Sequence, residues 1–155
     1  MKKKSRADSG LHPGPALDHH PYLESETMST VSETKAKTLP DLSGFTGSET
    51  IYRHGLNRRF FHTEGIQHLA DAVGAHWLID VVASHQPKRK VRQEPFQLWR
   101  LTLKEGGGCT VTMRRDSGER PIVIQVIPYT DFPEDFECFA CENGQGHTMM
   151  LKSEY

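Results

Sequence analysis

The stretch FQLWRLTLKEGGGCTVTMRR, Phe96 to Arg115, decides the fold class. Residues 96–103 carry apolar side chains on both faces of an extended segment, as a strand inside a sheet requires. The EGGG run at 105–108 reads as a hairpin turn, because glycine reaches positive φ without a steric penalty. On the return strand Cys109, Val111 and Met113 share one face, the period-two alternation of a half-buried strand. The pattern continues outward. DSGE at 116–119 turns again, and PIVIQVI at 121–127 reads as a third strand. A fourth near Phe136–Ala140, the ENGQG turn and a fifth near His147–Leu151 complete an antiparallel meander of about five strands.

Towards the N-terminus the period changes from two to 3.6. Thr63 is placed to cap a helix, its hydroxyl accepting from a free amide of the first turn, with Glu64 favoured by the helix dipole. Ile66, Leu69, Ala70 and Val73 follow at helical spacing, and Gly74 suits a left-handed C-terminal cap. A second helix, from about Ala75 to Gln86, stops before Pro87. Trp77, Leu78, Ile79, Val81 and Val82 cover more than half of its circumference, which predicts a helix buried across the sheet with Trp77 inside. Two helices followed by a meander give a two-layer α+β domain.

All seven Phe and both Trp fall within residues 45–155. Residues 1–40, with Pro13, Pro15, Pro21 and Pro40 among Ser, Thr, Glu and Lys, read as a disordered tail ahead of a single domain at 41–155. Met28 opens MSTVSETKAK and reads as a second start site. The formal charge is −1, so no global basic field recruits nucleic acid. The distribution is uneven, however: residues 86–120 hold nine Lys/Arg against four Asp/Glu, and residues 129–155 one against six. Opposite charges on adjacent strands are ordinary sheet chemistry. Three cysteines, an odd number, argue against a disulfide framework. Lys2, Lys3 and Lys4 are followed by no apolar core of a signal peptide, and no apolar run is long enough for a membrane span. The expected location is the cytoplasm.

FTGSETIYRHGLNRRFFHTEG at 45–65, LADAVGAHWLID at 69–80, DFP at 131–133 and the terminal SEY at 153–155 together resemble an uncharacterised family of small bacterial proteins, a domain of unknown function. The resemblance spans Phe45 to Tyr155. It implies a small intracellular domain with no assigned activity or cofactor, and it carries over no catalytic residue. The chain departs from that pattern at CFACENGQGHTMM, which is rich in Cys and His.

No constellation specifies a reaction. Cys138 and Cys141, with His147 beyond, imitate part of a zinc knuckle. Residues three apart on a strand point to opposite faces, however, so the two thiols do not converge. His12, His19 and His20 lack a folded frame. No metal and no cofactor is expected. His85 reads as a hydrogen-bonded core imidazole. Asp80, on the narrow polar arc of the second helix, can pair with His54 or His62 as an acid–base couple.

The richest segment is Tyr52-Arg53-His54-Gly55-Leu56-Asn57-Arg58-Arg59-Phe60-Phe61-His62. Guanidinium forks bind phosphate or carboxylate in bidentate fashion, aromatic rings stack on bases, and the segment leads into a helix N-terminus. Tyr52, Arg53, His54, Arg58, Arg59 and His62 are the candidate binding residues. They imply a non-enzymatic binding or adaptor domain contacting an acidic protein or nucleic acid. The bland alternative pairs the arginines with Asp131, Glu134, Asp135 or Glu137 as scaffold. The enzymatic alternative is a small hydrolase or nuclease using His54 or His62 with Glu64 or Asp80.

Overall fold

The structure, a computed structural model, describes residues 37–155. The expected tail up to residue 36, with His12, His19, His20 and Met28, lies outside the described residues. From Lys37 onward the chain packs on the domain. Leu39, Leu42 and Phe45 rest against the core, and Lys37 pairs with Asp131 and donates to the Val73 carbonyl at 3.3 Å. Packing thus begins ahead of residue 41.

Three α-helices and seven strands follow, closed by a 3-10 turn at Lys152–Glu154: β1 (Ile51–Arg53), β2 (Phe60–Thr63), α1 (Glu64–Val73), α2 (His76–His85), α3 (Arg89–Arg92), β3 (Phe96–Leu103), β4 (Cys109–Arg114), β5 (Val123–Ile127), β6 (Phe136–Glu142) and β7 (His147–Leu151). The α+β class holds, with its sheet larger than expected. Seven strands lie in the order β1-β2-β7-β6-β3-β4-β5. The simple meander is also corrected: β6 pairs with β3 and not with β5, and β2 joins the sheet parallel to β7, with Phe60 opposite His147 and His62 opposite Met149. The other pairs are antiparallel. β1 and β2 are three and four residues long, too short for an alternation to register.

The first helix is capped as its sequence dictates. Thr63 Oγ1 accepts from the Ile66 amide, and Gly74 takes the left-handed conformation at φ 70°. Its N-terminus also receives the C-terminal segment, since the Glu154 carboxylate accepts from Thr63 Oγ1, the Gly65 amide and Ser48 Oγ. Residues of FTGSE, TEG and SEY therefore meet at one point.

The core lies between the helices and one face of the sheet, with Trp99, Leu101, Val111, Met113, Cys138, Ala140 and Met149 turned inward. Trp99 is 1% exposed and donates its indole N–H to Gln97 Oε1 at 2.9 Å. Gln97 exchanges amide hydrogen bonds with Gln86, so the buried polar groups at the end of α2 are satisfied. Trp77, expected inside, is only partly buried: α2 turns Leu78, Ile79, Val82 and Ala83 to the core and leaves Trp77 and Val81 at its margin. His85 is the core imidazole expected, bonded to Gln125 at 2.6 Å and Lys88 at 2.8 Å. Cys138 faces inward opposite Trp99, and Cys141 pairs with Phe96 on the other face. Among the described residues no helix is long and apolar enough to cross a membrane.

Candidate functional site: a basic cleft at the β1–β2 loop

The segment 52–62 becomes β1, a tight loop and β2. Strand alternation divides its side chains. Tyr52 and His62 are register partners on the helix side of the sheet and stack with ring centroids 5.4 Å apart. Arg53 and Phe61 face the other side, with the Arg53 guanidinium 5.3 Å from the Phe61 ring centroid. The segment is therefore not one surface, as its composition alone suggests.

The loop between the strands is held rigidly against α2. His54 Nδ1 accepts the amide N–H of Asn57 at 3.0 Å and of Leu56 at 3.3 Å. An acceptor at Nδ1 puts the ring proton on Nε2, which donates to Asp80 Oδ1 at 2.8 Å. Asn57 adds a second tie, donating to the Ala83 carbonyl at 3.2 Å while its oxygen accepts the Arg59 amide. Asp80 thus pairs with His54, one of the two partners the sequence offered, and both ring nitrogens of His54 are engaged. His62 is separate. It is 7% exposed, bonds Gln67 Oε1 through Nε2 at 2.7 Å, and leaves Nδ1 buried without a partner. Burial pushes its imidazolium below the usual range, offset in part by the Gln67 hydrogen bond. Glu64 is exposed in the first turn of α1.

Arg58 and Arg59 form the exposed turn that these ties present. Among the described residues, Arg53, Arg58 and Arg59 make no ion pair. Three of the four acidic residues proposed to neutralise them have other partners. Asp131 pairs with Lys37, Glu137 with Arg100 and Lys152, and Asp135 accepts the Leu103 amide at 2.8 Å.

Arg59 is one wall of a cleft of about 460 Å³, which also takes in Arg92 and Gln93 from α3 and its C-terminal cap, and Glu142 and His147 from the β6–β7 hairpin. The hairpin approaches the loop so closely that a Cβ on Gly146 would lie 1.6 Å from the Arg59 carbonyl oxygen, which only glycine avoids. That carbonyl accepts the His147 amide at 3.0 Å, and Arg59 Nε donates to the Gln145 carbonyl at 3.3 Å. His147 is 5% exposed, and its Nε2 contacts the Glu94 carbonyl at 2.8 Å. A carbonyl only accepts, so Nε2 carries the proton. Its Nδ1 makes no hydrogen bond among the described residues.

Of the predicted residues, only Arg59 lines this cleft. Arg58 stands beside it in the turn, and Tyr52, Arg53, His54 and His62 lie outside its walls. Arg92, Gln93 and Glu142 are absent from the predicted residues, and His147 enters the sequence reading only as part of the zinc-like pattern. The charge run KRKVR at 88–92 marks Arg92, and the Cys- and His-rich CFACENGQGHTMM holds Glu142 and His147.

The chain is similar in structure to a crystal structure of a protein of unknown function from Enterococcus faecalis, at 18% identity and a TM-score of 0.47 over 64% of this chain and 92% of that one. No curated protein matches it. The model of a family of unknown function, DUF6876, matches residues 36–155, and the chain belongs to that family.

Proposed function

We propose that this domain is a non-enzymatic binding or adaptor module that engages an anionic partner, an acidic protein or a nucleic acid, through Arg58 and Arg59 and the basic run on α3. The observation that carries the reading is the absence of any ion pair at Arg53, Arg58 or Arg59 among the described residues, in a loop anchored by His54 and Asn57. Guanidinium groups left without internal carboxylates on a rigid turn are pre-organised for an external one, and pre-organisation lowers the ordering cost of binding. Arg92 adds a further cation across the cleft.

The hydrolase or nuclease reading draws on the His54–Asp80 pair. A general base needs a free lone pair within reach of substrate. In His54 that lone pair accepts the amides of Leu56 and Asn57, which favours a clamp over a base. The test is binding of labelled single-stranded RNA, single-stranded DNA and an acidic polypeptide at low salt. The Arg58→Glu/Arg59→Glu chain should lose whichever of these the wild type retains.

A further inference from the structure

We infer that the cleft between the β1–β2 loop, α3 and the β6–β7 hairpin binds a phosphate monoester of about nucleotide size that also carries hydroxyl or amino donors. The inference rests on the reading that this end of the domain receives an anion, and it names the chemistry of that anion.

Three observations specify it. Arg59 and Arg92 reach the cleft from separate elements, and neither has an ion-pair partner among the described residues. Paired N–H groups of a guanidinium match two oxygens of a phosphate. Glu142 lines the same cleft, also without an ion-pair partner among the described residues. A carboxylate beside two arginines disfavours a bare polyanion. It suits a ligand whose phosphate meets the arginines while a hydroxyl or amino group donates to Glu142. Finally, His147 is a buried side chain of the cleft lining whose Nδ1 has no partner among the described residues, an acceptor when neutral and a donor when protonated. About 460 Å³ falls in the range of small-molecule sites. Asn57 and Gln86 also line the cleft, but their amides are committed to Ala83 and to Gln97, so they act as frame.

Such a phosphate can come from a free nucleotide or from the phosphorylated end of a nucleic acid chain. Amide chemical shifts of the full chain are followed on addition of inorganic phosphate, a nucleoside 5′-monophosphate, the unphosphorylated nucleoside, and short oligonucleotides with and without a 5′-phosphate. The expected result is saturable shifts at Gln93, Gly144 and Gly146 with the monophosphate, and tighter binding than of phosphate or nucleoside alone. Shifts that a 5′-phosphorylated oligonucleotide reproduces and its 5′-hydroxyl form does not assign the chain end as source. Shifts confined to the free monophosphate assign the nucleotide. Arg92→Ala should weaken binding about tenfold or more, as loss of a charge-assisted pair does. Glu142→Gln should narrow the preference for the nucleotide over inorganic phosphate. No saturable shift in the cleft with any phosphorylated ligand, or an affinity unchanged in Arg92→Ala, overturns the inference. Polymer binding that survives Arg92→Ala but is lost on Arg58→Glu would leave the broader anion-binding reading standing while overturning this one.

Discussion

His54 Nε2 lies 2.8 Å from Asp80 Oδ1, and this contact fastens the β1–β2 loop to the middle of α2. The other nitrogen of the ring caps two amides of the loop itself, so one side chain sets both the loop's shape and its seat. Replacing His54 with Ala should cost about 1–2 kcal/mol, the worth of its hydrogen bonds in a half-buried place. It should also raise hydrogen exchange at the amides of Leu56 and Asn57. Asp80→Asn keeps an oxygen acceptor for Nε2–H and should leave that exchange nearly unchanged. Amides as protected in His54→Ala as in the wild type would remove the clamp from the account.

His62 supplies a pH dependence. Its imidazolium is disfavoured by burial in the folded chain, whereas the unfolded chain titrates near the ordinary 6.5. The unfolded state therefore takes up the proton first as pH falls. Stability from this group is complete above 6.5 and declines below it, until the folded chain protonates in turn. Urea unfolding across the histidine range should show a shallower acid loss in His62→Gln than in the wild type. Parallel curves for the two chains would contradict the assignment.

The two tryptophans should separate in cost. Trp99 is enclosed and its indole N–H is one of two donors to Gln97 Oε1, the other being the Gln86 amide, so Trp99→Ala opens a cavity and removes a buried hydrogen bond. A loss of about 3–5 kcal/mol is expected, most of the stability of a domain this size. Trp77 sits at the margin of the core and should cost about 1–2 kcal/mol. Urea midpoints measure both. Equal losses would mean that α2 is rotated from the position described.

Local chemistry made parts of this molecule readable. The Thr63 cap, the Gly74 stop and the β3–β4 hairpin are governed by neighbours in the chain, and each lies where its residues place it. β1 and β2 are different, because β2 joins the sheet by pairing with β7, more than eighty residues on, and β1 joins it only through β2. No local pattern in Ile51–Arg53 or in the uniformly buried Phe60–Thr63 announces a parallel partner. Trp77 misleads for a related reason. When apolar residues cover more than half of a helix, its sequence does not say which of them face the sheet. The candidate site divides in the same way. Arg58 and Arg59 stand out by composition, whereas Arg92 joins Arg59 from α3, and Glu142 and His147 join it through the approach that Gly146 permits.

The most direct test of the central claim is made on one double variant, Arg58→Glu/Arg59→Glu, with two readings taken together: thermal midpoint, and binding to single-stranded RNA, single-stranded DNA and an acidic polypeptide over a salt series. Arginines free of internal carboxylates can be reversed without breaking a pair, so the midpoint should stay within a few degrees. Wild-type binding should weaken steeply as salt rises, through counterion release or screening, and the variant should not bind. A large drop in midpoint would instead show that these arginines hold the fold together. Equal stability with no binding by either chain would make the segment scaffold and contradict the account.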